Sequence, residues 1–120
     1  MSVEGMWMFR SASVENPNLL LDGGIIVLET GRVFGGDSSI AYRGSYDVSG
    51  GQLLAEVRTW TWNEALGVAN VWGMTGKIDQ VVMFEGQPDT NRDVIAGYIY
   101  PKGMPGERLA ALLQKICNLD

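Results

Sequence analysis

The chain has 120 residues, and this length predicts a single domain over residues 1–120 with one hydrophobic core. Apolar residues make up 46% and charged residues 19%, a balance that excludes a disordered chain. Nine basic against fourteen acidic residues give a net charge of −5, which argues against direct binding of nucleic acid. The chain has no histidine, and this excludes the histidine-dependent nucleophiles of most hydrolases.

Cys117 is the only cysteine, so the chain has neither an intramolecular disulfide nor a cysteine-rich zinc site. Its apolar surroundings predict a small buried side chain. Nothing in the sequence indicates a metal or a cofactor. The first residues include Glu4 and lack the pattern of a secretion signal, and no apolar run is long enough to span a membrane. We therefore expect a cytoplasmic protein with no membrane span.

Short runs of β-branched and aromatic residues recur along the chain, and each is followed by Gly, Asn, Asp or Pro. The connections are short, so neighbouring strands are expected to be antiparallel. Because closure removes exposed sheet edges, the pattern predicts an all-β, up-and-down barrel of about seven or eight strands. The predicted strands lie near residues 4–13, 23–30, 32–36, 38–47, 52–62, 75–86 and 92–101.

Two of these strands differ in how their faces are composed. Residues 53–59 place Leu53 and Val57 on one face and Glu56 and Arg58 on the other, which is typical of a half-exposed strand. The run Met6–Met8 is apolar on both faces, so that strand is expected to be covered on both sides.

The later part of the chain carries a helical pattern. A C-terminal amphipathic α-helix is predicted at about residues 106–117, with Glu107 in its first turn. The stretch Asn63–Gly73 is ambiguous and is expected to form a long loop or a short helix. The stripe of the predicted helix consists of residues spaced i, i+3, i+4 and i+7: Leu109, Leu112, Leu113 and Ile116.

A glycine-rich motif begins at the end of the third predicted strand. Gly35 and Gly36 tolerate backbone angles closed to other residues, and Asp37 is suited to accept a backbone N–H in an Asx turn. Further along, Gly44 permits either a bulge or the packing of Tyr42 across the strand. All five residues are assigned structural roles, and none is a candidate catalyst.

The segment Gly31–Trp60 resembles the GrlR-type family of small bacterial proteins, the negative regulators of type III secretion. The match is carried by Gly35-Gly36-Asp37, by Tyr42-x-Gly44 and by the strand that begins at Leu53. The resemblance implies a lipocalin-like barrel, a homodimer, an interior cavity for a lipid-like or other apolar ligand, and sequestration of a transcriptional activator. In that family the activator is held through an acidic loop before the strand that here begins at Leu53.

At the place of that acidic loop, this chain has a single carboxylate, Asp47. One exposed charge contributes little to attraction. A client protein is therefore expected to bind through another surface, with Trp60 and Trp62 as the first candidates. These two residues share strand parity and face away from Val57, so they are expected to form a patch at the barrel mouth or at a dimer contact.

Trp7 and Trp72 are further candidates for a ligand or partner surface, although large aromatic residues also fill cores. Glu56, Asp79 and Glu85 are the carboxylates that are candidates for an acid–base pair. The favoured interpretation is that they are solvated charges facing neighbouring strands. The sequence thus predicts a non-enzymatic regulatory or binding protein with no catalytic residues. Two alternatives stay open: a carrier of a small apolar ligand without a protein client, and a barrel isomerase or cyclase.

Overall fold

A computed structural model describes residues 3–16, 21–63, 72 and 77–120. Within them the chain forms an all-β barrel in which each strand pairs antiparallel with the next and the last returns to the first. This confirms the predicted closed antiparallel barrel. The eight strands are β1 (Gly5–Ala12), β2 (Leu21–Glu29), β3 (Arg32–Gly36), β4 (Ile40–Ser49), β5 (Gln52–Thr61), β6 (Asp79–Asp89), β7 (Val94–Pro101) and β8 (Leu109–Cys117).

Strand β5 shows how the alternation of side chains builds the core. Leu53 and Ala55 are buried inside the barrel, whereas Leu54 is 47% exposed on the outer face. The predicted faces of residues 53–59 are therefore confirmed. The same period of two places Ile95 and Leu113 in the interior from the other side of the barrel.

The barrel has two different ends. The end that carries the short β2–β3, β4–β5 and β6–β7 turns is called the turn end, and the opposite end is called the loop end. Trp7 fills the interior toward the turn end: its side chain is 3% exposed, and its indole N–H donates to the Val3 carbonyl at 3.0 Å. Lys115 lies over its ring, with Nζ 5.5 Å from the ring centroid. Trp7 therefore fills the core, one of its two sequence interpretations, and the other, a place on a ligand or partner surface, is wrong because the side chain is buried outside the cavity lining.

The predicted C-terminal helix at about residues 106–117 is wrong. Only Pro105–Glu107 is helical, as one 3₁₀ turn, and the residues after it form β8. Leu113 pairs with Ile95 of β7 and with Phe9 of β1. Without β8, both β1 and β7 would leave a row of backbone N–H and C=O groups unpaired, and satisfying two edges outweighs the modest helix propensity of leucine and alanine.

The expected burial of Cys117 is also wrong, because its side chain is exposed. Cys117 is the last residue of β8 and lies opposite Met6, where the pairing of β1 with β8 is irregular. The apolar sequence around it continues past the end of the barrel, where the closed sheet no longer covers it.

Two predicted segments lie partly outside the described residues. Of the ambiguous stretch Asn63–Gly73, only Asn63 and Trp72 are described, so the choice between loop and helix lies outside the described residues. Residues 75 and 76 of the strand predicted near 75–86 also lie outside the described residues, whereas Lys77 and Ile78 are described and precede the strand, which begins at Asp79. No helix in the described part of the chain has the length and apolar character needed to cross a membrane.

Candidate ligand-binding cavity

A cavity of about 220 Å³ lies inside the barrel, and its wall reaches from Leu28 and Leu53, near the turn end, to Trp72 at the loop end. Its wall is mostly apolar and includes Phe9, Ile26, Val57 and Ile78. An engineered cavity of about 150 Å³ binds benzene, and pockets for drug-sized ligands begin near 300 Å³. By this scale the cavity suits a molecule of about 9 non-hydrogen atoms.

Asp37 is the one charged residue among the described residues that line the cavity. It follows β3, and its Oδ1 accepts the backbone N–H groups of Ser39 and Ile40 at 2.8 and 2.7 Å. Its Oδ2 accepts the hydroxyl of Tyr42 at 3.0 Å. These backbone bonds form the predicted Asx turn, and they hold the carboxylate at the cavity wall.

Tyr42 points into the barrel from β4, where it pairs with Gly35 of β3. Gly24 lies beside its hydroxyl: a Cβ at that position would lie 3.2 Å from the Tyr42 oxygen and 2.6 Å from the Gly36 carbonyl oxygen. Gly44, two residues along β4, pairs regularly without a bulge, and a Cβ there would approach the Glu56 carbonyl oxygen to 2.0 Å. Gly44 therefore permits close backbone approach between β4 and β5.

Burial raises the pKa of Tyr42 well above its usual range, and the neighbouring Asp37 carboxylate raises it further by charge and by hydrogen bonding. Near neutral pH the residue is a phenol whose proton lies on the bond to Asp37. It therefore presents only oxygen lone pairs to the cavity.

The raised pKa of Tyr42 predicts a pH-dependent stability. Above about pH 10 an unfolded tyrosine ionises while folded Tyr42 keeps its proton, so the unfolded state binds fewer protons. The contribution of Tyr42 to the free energy of unfolding, complete below pH 10, should then fall by up to about 1.4 kcal/mol per pH unit. Urea denaturation of wild type and Tyr42→Phe from pH 8 to 11 should show their difference shrinking. A constant difference would contradict the coupling.

Two other polar side chains belong to the described wall of the cavity, and both donate to backbone carbonyls. Thr59 Oγ1 donates to Gln80 O across the β5–β6 ladder at 3.0 Å. Trp72 Nε1 donates to Glu107 O at 2.8 Å, which joins the β5–β6 connection to the 3₁₀ turn before β8. Trp72 thus closes part of the loop end. Thr59 is a wall residue that the sequence predictions missed, although its inward parity with Val57 was a sufficient signal.

The structure separates the predicted site residues. Asp37, Tyr42 and Trp72 line the cavity, whereas Trp7 lies toward the turn end and outside the cavity lining. The motif glycines Gly35 and Gly36 lie in β3, next to the Asp37 turn, and Gly44 lies in β4. Asp47 is exposed on the outer face of β4, near the turn end.

The two candidate partner residues lie outside the barrel at the loop end. Trp60 is on the outer face of β5, with the Arg58 guanidinium 4.6 Å from its ring centroid. Trp62 is 57% exposed, and its indole N–H donates to the backbone carbonyl of Asp37 at 3.1 Å. The turn that carries Asp37 therefore faces the cavity through its carboxylate and contacts an exposed tryptophan through its backbone.

The three carboxylates that are candidates for an acid–base pair all make their contacts outside the cavity. Glu56 forms an ion pair with Lys102 at 2.6 Å, and the Tyr100 hydroxyl donates to Glu85 at 3.2 Å. Asp79 accepts two hydrogen bonds from Arg58 across the β5–β6 ladder, and these bonds lower its pKa. These contacts confirm the interpretation of Glu56 and Asp79 as cross-strand charges.

The candidate site is therefore an apolar barrel cavity whose described wall carries the hydrogen-bonded Asp37–Tyr42 pair and the hydroxyl of Thr59. No protein-family model matches the chain, and none of the curated proteins is significantly similar to it.

Proposed function

We propose that this protein binds a small, mainly apolar molecule inside its barrel and acts as a non-enzymatic binding protein. The observation that carries the proposal is the cavity of about 220 Å³, which persists although Trp7, Leu28 and Phe84 fill much of the interior. Protein interiors seldom contain voids much larger than one water molecule. An apolar void of this size favours occupation by an apolar ligand.

The contacts of Asp37 support binding over catalysis. A general base must take up a proton and release it in each turnover. In Asp37 one carboxylate oxygen holds two backbone N–H groups, and the other holds the Tyr42 hydroxyl. Protonation would weaken all three bonds and disturb the β3–β4 turn, so this carboxylate is better suited to fix the wall than to shuttle protons. The barrel isomerase or cyclase is therefore the less favoured alternative.

A regulatory role is the second part of the proposal, and it rests on the resemblance to the GrlR-type family. In this role the protein is a cytoplasmic homodimer that sequesters a transcriptional activator and holds a ligand in its barrel. The exposure of Trp62 and its position outside the barrel support a client surface there, since desolvated aromatic side chains are frequent anchors. A carrier without a protein client would use the same cavity and would not need this surface.

Filling the cavity should abolish ligand binding. Val57 lines the cavity, so Val57→Phe places an aromatic ring in the space that the ligand occupies. We expect the affinity for toluene and benzyl alcohol to fall at least tenfold, as measured by isothermal titration calorimetry. Val48→Phe is the matched control, because Val48 is 39% exposed at the turn end of β4, and it should bind as wild type does. Equal affinities in both variants would show that these probes bind elsewhere.

A further inference from the structure

The side-chain hydrogen-bond donors in the described wall of the cavity are all used within the protein. Tyr42 donates its hydroxyl to Asp37, Thr59 donates to Gln80 O, and Trp72 donates its indole N–H to Glu107 O. Each of these bonds is 2.8 to 3.0 Å long. A ligand inside the cavity therefore meets no free side-chain donor from this part of the wall.

Hydrogen-bond acceptors, by contrast, remain. A hydroxyl oxygen has two lone pairs beside its donated proton, so Tyr42 and Thr59 each keep acceptor capacity. A carboxylate has about four lone-pair sites, and Asp37 uses two on backbone N–H groups and one on Tyr42. Asp37 and Tyr42 present this capacity side by side in the cavity wall.

The charge of the described cavity wall disfavours an anionic ligand. Asp37 carries the only formal charge among the described lining residues, and no lysine or arginine in that set opposes it. An anionic ligand would bring a second negative charge next to Asp37 in a mostly apolar cavity, where repulsion is much stronger than in water. It would also find no free side-chain donor in the described wall to replace its lost hydration.

We propose that the cavity selects a small apolar molecule that carries a hydrogen-bond donor and no negative charge: an alcohol, a phenol or an amine. The donor group lies at the Asp37–Tyr42 pair, and the apolar part lies against Ile26, Val57 and Ile78. This inference rests on the proposed ligand-binding function and specifies its ligand class. It excludes carboxylates, and with them free fatty acids, as the preferred ligands.

Four probes of one shape and 7 to 9 non-hydrogen atoms, about the number that the cavity suits, test the selection. Toluene, benzyl alcohol, benzylamine and benzoate share one ring and differ in the attached group. By isothermal titration calorimetry at pH 7, benzyl alcohol should bind wild type at least tenfold more tightly than benzoate and at least threefold more tightly than toluene. Benzylamine, protonated at this pH, should also bind more tightly than benzoate.

Variants assign the selection to the proposed groups. Tyr42→Phe removes the phenol oxygen and frees the Asp37 oxygen that accepts it, so the preference for benzyl alcohol over toluene should change by at least threefold. Asp37→Asn removes the charge and should reduce the preference for benzyl alcohol over benzoate below threefold. Asp47→Asn removes an exposed carboxylate of the outer face and should leave both preferences unchanged. Because Asp37 also holds a turn, thermal melts must show that Asp37→Asn is folded. If it is not, Tyr42→Phe alone decides.

The outcomes separate the two proposals. If none of the four probes binds saturably, the ligand-binding function is wrong and the ligand class fails with it. If toluene and benzoate bind wild type as tightly as benzyl alcohol does, the cavity binds ligands but the selection is wrong. Unchanged preferences in Tyr42→Phe would overturn the assignment of the donor group to the Asp37–Tyr42 pair.

Discussion

Trp7→Ala is expected to lower the free energy of unfolding by about 3 to 5 kcal/mol. The indole is 3% exposed, so its removal leaves a large void at the turn end. The Val3 carbonyl loses its indole donor, and Lys115 loses the ring over which it lies. Urea denaturation followed by far-UV circular dichroism measures the loss of free energy. The slope of the free energy of unfolding against urea concentration should be the same in both proteins, as expected if each unfolds in one step.

Trp62→Ala is the control for Trp7→Ala, because it removes the same side chain from the surface. Trp62 is 57% exposed, and its side chain makes one hydrogen bond, to the backbone carbonyl of Asp37. We expect this variant to lose about 0.5 to 1.5 kcal/mol, the usual net value of one hydrogen bond. Equal losses in the two variants would contradict the placement of Trp7 in the interior.

Leu113→Ala is expected to cost about 2 to 5 kcal/mol, whereas Leu112→Ala should cost less than half as much. In β8 these neighbours point to opposite faces: Leu113 is 2% exposed in the core, and Leu112 lies on the outer face. An α-helix would instead place both on one buried stripe, and both substitutions would then be costly. The pair of variants therefore tests the strand directly by chemical denaturation.

Equal, large losses in the two variants would restore the helical interpretation of this segment. A second measurement is independent of side-chain burial. In a closed barrel the amide protons of β8 are protected by bonds to β1 and β7, so hydrogen exchange should be slow along Leu109–Lys115. An amphipathic surface helix would show faster exchange at its first turn, where N–H groups have no intrahelical partner.

Local patterns were sufficient to predict most of the fold. Alternation in β5 placed Leu53 and Val57 inside, and the turn residues between strands predicted antiparallel neighbours in a closed barrel. The last strand was misread because Leu109, Leu112 and Leu113 fit a period of 3.6, while Leu109, Ala111 and Leu113 fit a period of two. Only the presence of two unpaired edges, on β1 and on β7, decides between these patterns. That information is not local to residues 106–117.

The candidate site could be predicted only in part. The spacing of Asp37 and Tyr42 predicted a turn and a packed tyrosine, and the hydrogen bonds among them follow from that arrangement. The cavity itself depends on how side chains from all strands fill a common interior. Trp7 fills one end, and Trp72 lines the other without filling it, a difference that no pattern within either segment reveals.

The ladder between β1 and β8 joins Met6 to Cys117, whereas every other ladder among the described strands joins consecutive strands. Hairpins such as β4–β5 have short loops, so closing them costs less entropy than joining β1 to β8. They are therefore expected to form first. Closing the barrel is the one step that joins distant parts of the chain. Until β8 pairs with β1 and β7, the inner face that carries Phe9 and Ile95 is not covered by β8. The time between hairpin formation and this pairing therefore decides how long the open sheet is exposed to association with other chains.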